Sequence, residues 1–172
     1  DAASARAQMG ALAAAALLRE AGIEPILQLT CRDRNRIALQ GDLLGAAALG
    51  IRNLLVLRGD PPEAGDQPDA RAVFDLTSDE LAATARMIRD EGRLPHGRAV
   101  AGKADFLIGG ADTPVEPAPG WTPARLHQKR AAGIEFVQTQ FAMDAGLVRR
   151  YLARLADEGL VPALRFLIGI AP

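Results

Sequence analysis

The chain has 172 residues, 49% hydrophobic and 24% charged, with 20 Lys plus Arg against 21 Asp plus Glu and a formal net charge of -1. That is the composition of one globular domain with a sizeable core, and with no basic excess and only 4% aromatic residues it excludes a nucleic-acid surface built on charge and base stacking. A single cysteine, Cys31, and two histidines, His96 and His127, argue against an intramolecular disulfide and a Cys- or His-built metal centre, and the longest apolar run, residues 11–18, is far short of a membrane span.

Helix and strand patterns alternate along the chain. Ser4 can cap a first helix with Met9, Leu12 and Ala16 on one stripe and Gly22 as its stop. Residues 25–30 then read as a short buried strand. A second helix is expected after Asp33, carrying Ile37, Leu44 and Ala48 inward and ending at Gly50. Residues 53–58 form the next strand, apolar on both faces as parallel strands are. After a long polar loop, Thr77 and Glu80 have capping-box spacing for a third helix with Leu81, Ala85 and Ile88 inward and Gly92 at its end. Residues 105–109 are the third strand. Thr122-Pro123 reads as a cap followed by proline at the first helical position, opening a helix that ends at Gly133. The fourth strand is placed at 134–140. A fifth helix is capped by Asp144, with Leu147, Val148, Tyr151 and Leu155 inward, and the fifth strand spans 164–170.

Gly22-Ile23, Gly50-Ile51 and Gly133-Ile134 each sit at a helix-to-strand joint, where glycine permits the left-handed turn and isoleucine starts the next packed layer. Repeated units of this kind imply an α/β domain with a parallel sheet, closed or open, and no domain boundary. A Gly-rich dinucleotide turn is missing after the first strand. Polar residues gather instead at the C-terminal strand ends: Thr30, Arg58 with Asp60, Asp112 and Gln140. Both barrels and doubly wound sheets place their sites there, and the balance favours a (βα)8 TIM barrel, of which five βα units are too few to close. The chain begins at Asp1 without an initiator methionine and shows no signal peptide, so a cytoplasmic protein is expected.

In Arg58-Gly59-Asp60-Pro61-Pro62 a strand ends, glycine allows close approach, a carboxylate is pushed out, and two prolines stiffen the exit. Asp60 is either ligand-facing or part of a turn held by an Asx hydrogen bond; an adhesion-type Arg-Gly-Asp reading is weaker in a chain that does not look secreted. Gln140 offers an acceptor and two donors suited to a flat heterocycle with amide edges, or is satisfied by neighbouring backbone. Thr30 can bond a phosphate or ring edge. Cys31, with no histidine near it in sequence, reads as a packed small residue rather than a nucleophile. Arg125 and Lys129 share one helical face, solvated or phosphate-binding, and His127 points elsewhere. Gly109 and Gly110 either let a planar cofactor lie close or relieve a crowded turn.

Taken in order, Gly22-Ile23-Glu24-Pro25, Leu29-Thr30-Cys31, Gly50-Ile51-Arg52-Asn53, Leu57-Arg58-Gly59-Asp60-Pro61-Pro62, Phe106-Leu107-Ile108-Gly109, Lys129 with Ala132-Gly133, Thr139-Gln140-Phe141 with Asp144, and Gly169-Ile170-Ala171-Pro172 resemble the methylenetetrahydrofolate reductase family over nearly the whole chain. The resemblance implies an eight-stranded barrel with FAD at its C-terminal face (FMN or no flavin being the alternatives). It implies hydride transfer from NADH or NADPH through the flavin to 5,10-methylenetetrahydrofolate, giving 5-methyltetrahydrofolate. It implies that Asp60 sits between flavin and folate, that Thr30, Arg58, Gly59 and Lys129 bind the cofactor, and that Gln140 binds the pterin edge. Folate and a nicotinamide cofactor are the partners expected, with no nucleic acid, no membrane and no metal; unpaired strand edges would favour a homo-oligomer. Residues 1–172 would form a single domain supplying strands three to seven. No segment matches the first barrel strand, which bears the family's catalytic glutamate, so a polypeptide of this length alone is expected to be inactive. Two departures stand out: Gly109-Gly110-Ala111-Asp112 carries no aromatic ring, and Gln128 stands where some members have arginine. The competing readings are a non-catalytic folate- or flavin-binding relative, a barrel enzyme of methyl-group catabolism, and an unrelated α/β protein.

Overall fold

The computed structural model describes residues 5–170. Five helices and five strands alternate: α1 (Ala11–Glu20), β1 (Ile26–Thr30), α2 (Arg36–Ala48), β2 (Asn53–Leu57), α3 (Ser78–Glu91), β3 (Leu107–Asp112), α4 (Ala124–Ala132), β4 (Phe136–Phe141), α5 (Ala145–Asp157) and β5 (Arg165–Gly169). A 3-10 turn, Pro62–Ala64, follows β2. All strand pairs are parallel, and their order in the sheet is their order in the chain, β1-β2-β3-β4-β5. A doubly wound sheet reverses strand order at a switch point. Here every crossover steps the same way and lays its helix on the same face, the winding of a TIM barrel. The fold is therefore an α/β part-barrel. Among the described residues no helix is long and apolar enough to cross a membrane.

The core lies between sheet and helices. Leu27, Leu29, Leu54, Val56, Ile108 and Val137 pack on Leu39, Leu43, Leu81, Ala85, Ile88, Tyr151 and Leu155, all nearly or fully buried. The opposite face is more open, with Ile26 and Leu167 each at least 40% exposed. That face carries Gln28, Leu55, Leu57, Ala111 and Gln138, and it faces the lumen side of the barrel winding.

Capping chemistry sets most helix limits as the sequence implies. Thr77 accepts from the Glu80 amide at 3.2 Å while the Glu80 carboxylate accepts from the Thr77 amide at 2.8 Å, a complete capping box. Asp144 caps α5 through the Gly146 amide at 2.7 Å. Gly92 and Gly133 end their helices in the left-handed region.

The phase of the first two helices differs from expectation. Ser4 lies outside the described residues. α1 begins only after Gly10, so Met9 precedes it and is 65% exposed. α2 begins at Arg36 and is capped by Asn35, which accepts from the Ile37 and Ala38 amides at 3.1 and 3.0 Å. The inward stripe is Leu39, Leu43 and Ala46, and Ile37 points outward at 78% exposure. Ile37/Leu44 and Leu39/Ala46 share one seven-residue spacing, so periodicity alone could not choose between them. Ile51 and Ile134 are buried as the joint pattern implies, but Ile23 is exposed beside the β1 edge. Pro123 rather than Thr122 holds the α4 cap position. β3 starts two residues later than expected and runs through Gly109 and Gly110.

Candidate functional site at the C-terminal strand ends

A cavity of about 460 Å³ opens on the lumen face at the C-terminal ends of β2, β3 and β4. Leu55, Leu57 and Ala111 form its apolar floor. Gln28, Gln138 and Gln140 set amides around it, and Arg58, Gly59 and Asp60 flank its mouth. Four of the residues singled out from sequence, Arg58, Gly59, Asp60 and Gln140, are thus brought together from two strands. Thr30 lies beside them: a Cβ on Gly59 would stand 3.3 Å from the Thr30 Cβ and 3.1 Å from the Arg32 Cβ. Gly59 has φ +85°, so both backbone shape and close approach require glycine there. The Thr30 side chain lines a neighbouring cleft at the β1 edge and donates to Asp33 at 3.1 Å.

The segment after β2 is fastened by groups that sequence reasoning passed over. Arg32 is 4% exposed. Its guanidinium forks onto the Asp33 carboxylate at 2.6 and 2.9 Å and donates to the Asp60 carbonyl at 3.3 Å, fixing the backbone that presents Asp60. This pairing holds the Asp33 carboxyl below its ordinary range. Arg58 stacks on the Phe74 ring, its guanidinium carbon 4.3 Å from the centroid. The Val73 and Phe74 amides donate to the Arg32 and Cys31 carbonyls at 2.7 and 3.1 Å. Asp75 forks onto Arg36 at 2.7 and 2.9 Å, which pulls its carboxyl down to about 2. The loop that leaves the site therefore returns to lie against it. An arginine two residues past the end of β1 was the available signal for Arg32; nothing local marked Phe74.

Lys129 is set apart from the cavity. Its ammonium donates to the Ala111 carbonyl and lies 3.7 Å from the Asp112 carboxylate. Asp112 also accepts from the hydroxyl of fully buried Tyr151. Burial first, and the carboxylate second, push that phenol well above its ordinary range. Arg125 pairs with Asp79 at 3.1 Å and Gln128 at 2.6 Å, so the two cations of this helical face are each engaged within the protein. Gly109 and Gly110 also have internal reasons. A Cβ at Gly109 would stand 2.1 Å from the Phe136 ring, and one at Gly110 would stand 3.3 Å from Ile134. The first glycine makes room for a lumen-side phenyl ring rather than relieving a turn.

Cys31 is fully buried, and burial pushes its thiol up to about 11. A nucleophile needs its thiolate, so the packed-residue reading holds. An aromatic disulfide reagent at pH 8 is expected to leave the native thiol unmodified and to titrate it fully after denaturation. Rapid native reaction would contradict this burial. Among the described residues no cluster of three or more His, Cys, Asp or Glu could hold a metal.

A family model for methylenetetrahydrofolate reductase matches residues 1–172. The chain belongs to the methylenetetrahydrofolate reductase family. A similar relative is the "Probable methylenetetrahydrofolate reductase (NADPH)" of Caenorhabditis elegans, 28% identical over 163 residues. That alignment takes in 92% of this chain and 22% of the relative, so the chain spans under a quarter of the length of the curated protein it matches. The part-barrel winding agrees with this membership.

Proposed function

We propose that residues 1–172 supply strands three to seven of a reductase barrel that uses a flavin, FAD by family resemblance, to convert 5,10-methylenetetrahydrofolate to 5-methyltetrahydrofolate with NADH or NADPH. The observation that carries this reading is the cavity that unites Arg58, Gly59, Asp60 and Gln140 over an apolar floor. Its shape and donor set fit a flat heterocycle. The floor is made of small and aliphatic side chains, and amides surround it. The hydride relay between nicotinamide and folate is the chemistry a bound flavin would supply.

This chain's own residues do the positioning. Arg58, its side chain stacked on Phe74, the Gly59 backbone and the Thr30 hydroxyl would hold the flavin. Lys129 is assigned to the cofactor phosphates, which would compete with the Ala111 carbonyl and Asp112 for its ammonium. Gln140 pairs with the pterin edge through its amide. Asp60 places a carboxylate beside the cation that develops on the folate as its five-membered ring opens, so its charge favours the reacting state. Two stacked rings must be held in register for hydride transfer, which is a task of orientation.

Gln140→Ala in the full-length protein is expected to weaken folate binding about three- to tenfold, the worth of one or two hydrogen bonds, with flavin content unchanged. Calorimetric titration with 5-methyltetrahydrofolate reads this directly. An unaltered affinity would leave Gln140 as a strand residue satisfied by its surroundings.

A further inference from the structure

Phe141, the last residue of β4, has 72% of its surface exposed. Side chains alternate along a regular strand. With Gln138 and Gln140 toward the cavity, regular alternation would send Phe141 to the helical layer. The pairing with β5 prevents that. Gln138 stands opposite Leu167, and Phe141 opposite Gly169, so three steps along β4 match two along β5. The extra residue has the effect of a β-bulge and turns Phe141 onto the face that Gln138 and Leu167 share.

The register shift is built in by specific contacts. The Gly169 amide donates to the Thr139 hydroxyl at 3.0 Å, and the Ala142 amide donates to the Gly169 carbonyl at 2.9 Å. A Cβ on Gly169 would lie 2.9 Å from the Thr139 carbonyl oxygen, so strands this close admit only glycine. As a result Gln140 and Phe141, adjacent in sequence, both line the cavity.

A phenyl ring set beside two glutamine amides offers a flat apolar face and hydrogen-bonding groups at one place. That combination is complementary to a planar heterocycle, its face against the ring and its polar edge toward the amides. We propose that Phe141 is a stacking platform for the heterocyclic ring of the substrate, delivered to the cavity by the β4–β5 register shift. The proposal rests on the folate reading above and adds to it a contact residue and the backbone device that aims it.

The test is calorimetric titration of the full-length protein with 5-methyltetrahydrofolate and, separately, with p-aminobenzoylglutamate, which lacks the pterin. Phe141→Ala is expected to weaken folate binding about tenfold, as loss of an aromatic stacking contact does. Phe141→Trp should stay within about twofold of the unsubstituted protein, since it keeps a ring of this kind. Neither substitution should change affinity for the pterin-free probe, the flavin content or the melting temperature. If the unsubstituted protein binds folate and Phe141→Ala binds it equally well, the platform is refuted while the folate reading stands. Equal losses for both ligands, or for both substitutions together with a lowered melting temperature, would make Phe141 structural and also refute it. A protein that binds no folate would overturn both.

Discussion

Asp60→Ala is expected to lower folate turnover by the full-length protein about 100-fold, the usual cost of removing one preorganised charge or donor from a developing transition-state charge. The fold should be untouched. Asp60 is an exposed residue at the cavity mouth, and the contact that fixes its position runs from Arg32 to its backbone carbonyl, which alanine keeps. Stability should change by no more than about 0.5 kcal/mol, as at other surface positions. The loss should fall on kcat more than on KM, because in the proposed mechanism the carboxylate acts on a cation present only as the folate ring opens. Comparing steady-state kinetics with a thermal melt decides the matter. Full activity in the alanine variant would remove Asp60 from the mechanism, and a collapsed melting temperature would make it a structural residue.

Gly109→Val is expected to destabilise the domain by about 3 kcal/mol, the upper end of what overpacking a core costs. Even the first carbon of the new side chain would stand 2.1 to 2.5 Å from three atoms of the Phe136 ring. Phe136 is itself only 4% exposed, so its ring has little room to retreat. Gly41→Ala is the control. Gly41 lies inside α2 with nothing within 4 Å of the Cβ it would gain, so alanine there should stabilise by about 0.5–1 kcal/mol through helix propensity. Urea midpoints of both variants give the comparison. Equal midpoints for Gly109→Val and the unsubstituted protein would mean that Phe136 does not lie over Gly109.

The contrast between those two glycines shows where the sequence could and could not be read. Caps and stops were legible because their chemistry is local: Thr77 with Glu80, Asp144, Gly92 and Gly133 act within a few residues of themselves. The alternation that implied a parallel sheet was legible because every βα unit repeats it. The phase of α2 was not, since two stripes share one spacing. The reason for Gly109 was not legible either, because Phe136 is 27 positions away and only register brings the two together. The same limit applies at the site. Arg58, Gly59 and Asp60 stand out as one short motif. Arg32, Phe74 and Gln138 reach the site only through a long-range guanidinium–carbonyl bond, a ring stack and strand alternation. Gly169 and the exposure of Phe141 follow from a one-residue register shift, a feature with no signature in either strand alone.

Loop and site are physically joined in this protein. The Arg58–Phe74 stack, the Arg36–Asp75 fork and the amides of Val73 and Phe74 tie the far end of the segment after β2 to the end of β2, the start of α2 and the residues just after β1. Asp60 therefore sits on a chain segment anchored at both ends, which suits the role proposed for its carboxylate, holding a charge at a fixed place.

The visible absorption spectrum of the purified full-length protein gives the sharpest test of the proposed flavin-dependent folate reduction. The bands of an oxidised flavin are expected, bleached under anaerobic conditions by NADH or NADPH and restored by 5,10-methylenetetrahydrofolate, with FAD as the species released on denaturation. A folded, colourless full-length protein that takes up neither FAD nor FMN when they are supplied would contradict it.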